Sequence, residues 1–402
     1  MDGYPGPDEL WGKFRSVERD GPAWHPLVDH CTDVACVLEA LLAQPIIRHR
    51  LARAGGLDDL DEVQVARLCY LAFLHDLGKC SLGFRAKANP ELGPICGHLA
   101  ALKPLWKDGP ELAAFARALD LAAIEAWSGD ALESLLLAVF AHHGSTPPLR
   151  YEHGSDAALH RAWTAREREP FRRLEQLVTE GRRIFAAAFA IGPVLPTAPS
   201  FQHVFAGLLM LADWLGSSDE PERFRFAESS DPSREIFVRQ LAPDVLRTVG
   251  LVPPTRFGPL PGFAAQFDFP PRAAQAAIDH LPLPDGRGSV VLLESETGSG
   301  KTEAALRWAS RLMDAGLVDG CFFALPLRSA AVQLQKRLQR WLDRTYGEQV
   351  AEALLAVPGY FRMGKAEGKA LPDFLVQWTD AEVADRRHAR WAAEHPKRYA
   401  AA

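Results

Sequence analysis

No run in this 402-residue sequence is apolar for the roughly 20 residues that a bilayer-spanning helix needs. The opening MDGYPGPDELWGK is acidic and lacks a basic stretch leading into an apolar core, so it does not read as a signal peptide. Nor is there a C-x-x-C pair among the six cysteines, Cys31, Cys36, Cys69, Cys80, Cys96 and Cys321. Most of them lie in apolar helical runs, which implies reduced, buried thiols rather than a disulfide framework. Cys96 stands near His98, but the paired ligand knuckles of a structural zinc site are missing. A basic surplus is missing too: 45 Lys and Arg against 51 Asp and Glu leave a formal charge of −6. Any nucleic-acid contact must therefore rest on a local groove. These absences lead us to expect a soluble, cytoplasmic protein with no membrane partner.

What is present is core material: 48% apolar residues, with 10 Trp and 21 Phe. The length favours two domains. Residues 25–217 read as helices, with apolar positions at helical spacing in HPLVDHCTDVACVLEALL, EVQVARLCYLAFLHDLG, ALESLLLAVFAHHG and HVFAGLLMLADWLG. Pro and Gly then crowd residues 250–289, the composition of a domain junction. Beyond it, VVLLE and CFFALP read as buried strands, each followed by a helix, which predicts a parallel α/β sheet. The expected boundaries are 1–249, a linker at 250–289, and 290–402.

Three of the apolar helices run into ionisable side chains: His75-Asp76, His142-His143 and Asp213. An unpaired buried charge is costly, so such endings predict that the helix tips converge on a shared polar site. Lys79 could neutralise Asp76 as a plain salt bridge, but it cannot account for the other two endings. His30 and Asp33 share a helix face, and His98 sits in the loop ICGHLA. Imidazole and carboxylate without thiolate suit Mn, Fe, Co, Ni or Zn better than Ca. Mg would normally want fewer imidazoles. Two such ions about 3.5–4 Å apart can activate water and steady the leaving oxygen of a phosphodiester.

In this order, WHPLVDHCTDVA, HDLGKCSLGFRAK, GH, HHG and LADWLGS resemble the HD-domain nucleases of type I CRISPR interference, usually fused to a superfamily 2 helicase. The resemblance covers essentially the whole chain. It implies an all-α HD-type domain followed by an incomplete α/β RecA-like lobe. It also implies metal ligands at His30, His75, Asp76, His98, His142, His143 and Asp213, with Asp76 bridging two divalent ions (Mn, Fe, Co, Ni or Mg). Asp76 and Lys79 are the expected catalytic residues, Lys79 orienting either phosphate or Asp76. His25 is a nearby competitor of His30. The implied partners are single-stranded DNA and an RNA-guided CRISPR surveillance complex. An HD-type nucleotide or cyclic-dinucleotide phosphohydrolase and a non-enzymatic scaffold are the competing readings. The segment RAWTAREREPFRRL reads either as a basic, aromatic groove for a DNA strand or as a solvated helix face.

ESETGSGKTEAAL, at 294–306, follows the VVLL segment and opens a helix, the setting a phosphate-binding loop requires. Gly298, Ser299 and Gly300 would cradle phosphate, Lys301 would reach its oxygens, and Thr302 would hold Mg with ATP. Upstream, FPPRAAQ resembles the helicases' adenine-reading segment, with Gln275 toward the base and Arg272 nearby; an ordinary helix start explains it equally well. No D-E-x-H or D-E-x-D follows Lys301, so the chain reads as an N-terminal portion, and the tail RRHARWAAEHPKRYAAA as the stretch before a further helicase motif. We therefore expect this polypeptide by itself not to couple ATP hydrolysis to unwinding. Robust DNA-stimulated ATP turnover by the isolated chain would overturn that expectation.

Overall fold

The fold is taken from a computed structural model. It describes residues 5–14, 24–107, 109–144, 156–218, 224–226, 233–249, 251–252, 259–285, 289–318, 320–347, 353, 355–357, 360–363 and 366–369. The chain divides into two compact units between Val249 and Gly250.

The first unit is built around helix α1 (Leu27–Leu42), which follows directly on Pro26 and buries 12 of its 16 residues. A helix buried nearly all round belongs at the centre of a bundle. Around it pack α2 (Glu62–Phe73), α5 (Pro199–Gly216) and α6 (Arg234–Thr248); α3 (Leu132–Phe140) packs against α5. Asp61 opens α2 with a reciprocal cap: Gln64 N–H donates to Asp61 Oδ1 at 2.7 Å, and Asp61 N–H donates to Gln64 Oε1 at 3.2 Å. Arg67, buried on α2, donates to the carbonyls of Ala188 and Ala190 and so pins the loop that leads into α5. A two-stranded antiparallel ribbon, β1 (Trp11–Phe14) with β2 (Trp24–Pro26), lies against α1.

Helix α4 (Asp156–Ile184) leaves helical geometry at Ala165–Arg168. It is the segment with two sequence readings, groove or solvated face. Trp163 and Phe171 are core residues that meet Phe115 edge-on, at 4.6 and 5.1 Å between centroids. Two of its arginines serve internal ion pairs: Arg173 with Glu169 at 2.9 Å, and Arg183 with Glu180 at 2.8 Å and Glu235 at 2.9 Å. Those aromatics are not available for base stacking, because burial of their rings builds the core instead.

In the second unit, α7 (Ala273–Ile278), α8 (Lys301–Asp314) and α9 (Arg328–Tyr346) precede a three-stranded antiparallel sheet. Its strands, β3 (Leu355–Val357), β4 (Tyr360–Met363) and β5 (Ala366–Lys369), pair in chain order. The core joint is polar: Gln266 Nε2 donates to Ser310 Oγ and Thr345 Oγ1, and Trp341 Nε1 also donates to Ser310 Oγ. The chain is thus an all-α domain followed by a partial α/β lobe. The two strands expected at 290–294 and 321–326 differ from expectation: neither segment is a strand. Val290 is 98% exposed, Leu292 82% and Phe322 79%. A strand is stabilised by its ladder, and among the described residues no neighbour supplies one. The tail at 386–402, and 253–258 and 286–288 of the junction, lie outside the described residues.

α6 is tied to α1 by charge. Arg234 Nε and Nη2 donate to Asp33 Oδ1 and Oδ2 at 2.6 and 2.8 Å, and His25 Nε2 bonds Oδ2 at 2.9 Å. Both Arg234 and Asp33 are buried. Removing one partner strands the other charge, so Arg234→Met should cost about 3–5 kcal/mol in unfolding free energy. Urea denaturation followed by circular dichroism measures this; a loss below about 1 kcal/mol, the range of exposed pairs, would show that the pair does not hold α6.

Candidate metal centre

The side chains around Asp76 reach it from five places in the chain. His30 comes from the first turn of α1. His75 and Asp76 lie in the turn after α2, which ends at Phe73 rather than running to Gly78. Asp76 therefore sits before the short 3-10 turn Leu77–Cys80, not on the negative end of an α-helix. His98 is carried by a loop, His142 and His143 by the turn after α3, and Asp213 by the last turn of α5.

Gly78 lets the His98 loop come close: a Cβ there would stand 1.9 Å from the His98 carbonyl oxygen. Any other residue would push the loop, and His98 with it, away from Asp76.

Asp76 divides its two oxygens. Oδ2 faces His30 Nε2 at 2.9 Å and His75 Nε2 at 3.3 Å. Oδ1 faces His98 Nε2 at 3.2 Å and His142 Nε2 at 3.7 Å. Asp213 Oδ1 lies 3.8 Å from both His30 Nε2 and His75 Nε2. Two sets, His30–His75–Asp76 and His98–His142–His143, each bring their ligand atoms within 4.8 Å of one another. All except His143 are buried.

The ring orientations suit a cation. His75 Nδ1 donates to Ala72 O at 2.8 Å and His142 Nδ1 to Val139 O at 2.9 Å, which turns each Nε2 lone pair inward. His75 Nε2 is buried with no hydrogen-bond partner. An imidazole whose far N–H is anchored to a backbone carbonyl is the usual arrangement of a metal ligand. His98 Nε2 and His142 Nε2 approach to 3.4 Å. With two carboxylates and inward imidazoles, the donor set fits divalent transition ions.

Electrostatics supports the same assignment. Burial pushes the Asp76 carboxyl up, but the charges of Lys79, His75 and His98 outweigh it and hold the group well below the usual carboxylate range. Asp213 is likewise held low against burial, by Lys13 first and then by His75, His142 and His30. His30 is pushed well below its ordinary value by burial and by the Lys79 charge, which leaves a neutral imidazole, the ligand form. Burial also lowers His142, yet the neighbouring carboxylates of Asp76 and Asp213 raise it overall.

The structure brings together His30, His75, Asp76, His98, His142, His143 and Asp213. It separates two neighbours. His25 bonds Asp33 and stacks on Phe226 at 5.1 Å, away from the cluster, and Asp33 is spent on His25 and Arg234 although it shares a helix with His30. Cys96 joins neither metal-competent set. Lys79 Nζ lies 2.5 Å from Asp76 Oδ2 and donates to Gly12 O at 2.7 Å. Gly12 and Lys13 escaped sequence reasoning, because WGKF has no periodic or spacing mark.

In the second unit, Gly298 and Gly300 have φ of +82° and +89°, the left-handed region that glycine adopts freely. Lys301 Nζ donates to Ser295 O at 2.6 Å and Glu296 O at 2.8 Å, and Ser299 Oγ is buried with no hydrogen-bond partner. Gln275 is engaged at both ends: Nε2 donates to Gly300 O at 3.0 Å, and Oε1 accepts from Arg272 N–H at 2.9 Å. Arg272 Nη1 donates to Gly298 O at 2.9 Å. Together these brace the loop beside a cavity of about 460 Å³ lined by Phe269, Arg272, Gly298, Lys301, Thr302 and Arg337, among others.

Known proteins share this architecture. The chain is 28% identical over 366 residues to the CRISPR-associated endonuclease/helicase Cas3 of Escherichia coli, covering 82% of this chain and 39% of that protein. The Cas3 of Thermus thermophilus is 29% identical over 369 residues, covering 83% and 36%. The chain thus spans about two fifths of the length of these curated relatives. The crystal structure of T. fusca Cas3-AMPPNP superposes with a TM-score of 0.59 at 23% identity, over 84% of this chain and 38% of that one, and shows the shared fold. The family model described as "Cas3, HD domain" matches residues 11–221, more than half of the sequence and all of the metal-competent cluster, and the chain belongs to that family.

Proposed function

We propose that this chain is a divalent-metal-dependent nuclease that hydrolyses phosphodiesters of single-stranded DNA handed to it by an RNA-guided CRISPR surveillance complex. The observation that carries this reading is the division of Asp76, one oxygen toward each histidine set. A carboxylate so placed is suited to bridge two cations. The nuclease and CRISPR roles are supported by the names of the E. coli and T. thermophilus relatives.

His30, His75 and Asp213 would hold one ion, and His98, His142 and His143 the other, with Asp76 shared. When bound, such ions supply a water activated at neutral pH and polarise a phosphoryl oxygen. Lys79 keeps Asp76 oriented and ionised through its 2.5 Å contact. The carbonyls of Ala72 and Val139 fix the tautomers of His75 and His142, so no ring must turn when a cation arrives. With a formal charge of −6 the chain has no field to gather DNA, which agrees with delivery by a partner. In the second unit, the braced loop would bind ATP with Mg, with Lys301 released from Ser295 and Glu296 to reach the phosphates and Thr302 toward the ion.

Two measurements test the nuclease reading. Asp76→Asn should abolish Mn-dependent cleavage of circular single-stranded DNA, lowering the rate by at least about 10³-fold, since it neutralises the shared ligand. Cleavage at the wild-type rate would remove these residues from the chemistry. Mn at about 100 times its dissociation constant should stabilise the native state by about 2.7 kcal/mol, and EDTA should reverse this. A melting temperature indifferent to both would show that the cluster holds no ion.

A further inference from the structure

His75 and His142 are each anchored at Nδ1 by a backbone carbonyl. His30 is not: among the described residues its buried Nδ1 has no hydrogen-bond partner. The contact on the outer side of a ligand imidazole sets where its inner nitrogen points, so the His30 ring must be held by something else. That support comes from β1.

The backbone at Gly12 lies directly against His30. A Cβ at position 12 would stand 2.5 Å from the His30 Cβ, 2.9 Å from Cγ and 3.1 Å from Cδ2, and no other atom would be nearer. Gly12 is not among the glycines with positive φ, so its backbone suits any residue, and what keeps the position bare is His30. The same residue turns its carbonyl to Lys79, which donates to it at 2.7 Å. His30 Nε2 and Lys79 Nζ both end on Asp76 Oδ2, at 2.9 and 2.5 Å. Gly12 thus backs two of the groups that hold one carboxylate oxygen.

The ribbon is shaped to present Gly12 in this way. Trp11 pairs with Pro26 and Lys13 with His25, which leaves Gly12 as an extra residue on β1. Such a bulge bends its strand, and bulges recur beside active sites. Next to it, buried Trp11 packs tilted on Phe84, with centroids 4.5 Å apart. The Leu10 carbonyl accepts from the N–H of Leu27, the first residue of α1, at 2.9 Å. These contacts fasten β1 to the helix that carries His30 and to the chain just after Lys79.

Resting on the metal-binding part of the nuclease reading, we propose that Gly12 is a positioning residue of the metal centre, its bare backbone forming the back wall of His30. It does for His30 by contact what the carbonyls of Ala72 and Val139 do for His75 and His142 by hydrogen bonding. Gly12 touches neither ion nor substrate; it acts through His30 and Lys79.

In the full chain, Gly12→Ala should weaken Mn binding, measured by calorimetry, by about 10–100-fold, the scale for losing a group that orients a ligand. Gly6→Ala, on the same segment, should bind Mn as wild type does, because a Cβ there meets only Glu9, at an ordinary 3.6 Å. A merely structural contact would lower the melting temperature of Gly12→Ala in EDTA and leave its Mn affinity alone. His30→Gly removes both the ligand and the atoms that the new methyl would meet. In that background Gly12→Ala should leave the melting temperature in EDTA unchanged and the Mn affinity within about twofold, the non-additivity expected of residues in contact. This comparison decides the matter even if Gly12→Ala by itself does not fold. Wild-type Mn affinity in Gly12→Ala, or a loss that persists undiminished in His30→Gly, overturns the proposal. If wild type binds no Mn, the metal-binding reading fails, and the His30→Gly comparison in EDTA still decides whether Gly12 seats His30.

Discussion

A carboxylate buried at 3% exposure organises the first unit. Left unpaired, Asp76 would be a heavy charge to remove from water, since desolvation of an ion costs several kcal/mol even after relaxation. The fold answers with one ammonium and four imidazoles, drawn from α1, the turn after α2, a loop, and the turn after α3. Most of the buried side chains of α1 and α2 are apolar. The shared need of these elements to satisfy one buried charge makes their tips converge, and the greasy packing of α1 against α2, α5 and α6 sets the angles at which they do so.

The same constraint accounts for the supporting shell. Because His75 and His142 must present lone pairs inward, their outer nitrogens need acceptors, and backbone carbonyls one turn earlier provide them. Because the loop with His98 must approach the Asp76 turn, Gly78 carries no side chain. Because α1 must hold His30 still, Asp33 on the same helix is locked by Arg234 and His25. A site that holds cations works only if its ligands are in place before the ions arrive, and these contacts place them.

The second unit obeys a different logic. Its loop geometry depends on two glycines with positive φ and on Gln275, whose amide spans Gly300 and Arg272. Gln275 braces this loop and also lines the cavity beside it. Meanwhile Val290, Leu292 and Phe322 stand in solvent, apolar segments without a ladder partner among the described residues. Local loop chemistry is satisfied within a few residues, whereas a parallel sheet exists only when its neighbouring strands are there to bond.

Much was legible from order and spacing. Apolar periodicity predicted the helices, and ionisable residues after apolar runs marked His75, Asp76, His142, His143 and Asp213 as converging. Such residues stand out because burying them unpaired is too costly to be incidental. Gly298 and Gly300 were legible for the same local reason, a backbone conformation that side chains resist. Tertiary structure alone decided the rest. It chose His30 over His25, since α1 aims one at Asp76 while β2 aims the other at Asp33. It turned the aromatics of α4 into core, and it brought Gly12 against His30 through a ribbon distant in sequence from most of the site. Sequence patterns report which residues want burial or a partner; which partner they find is settled only when separate elements pack, because that choice depends on directions in space and not on spacing along the chain.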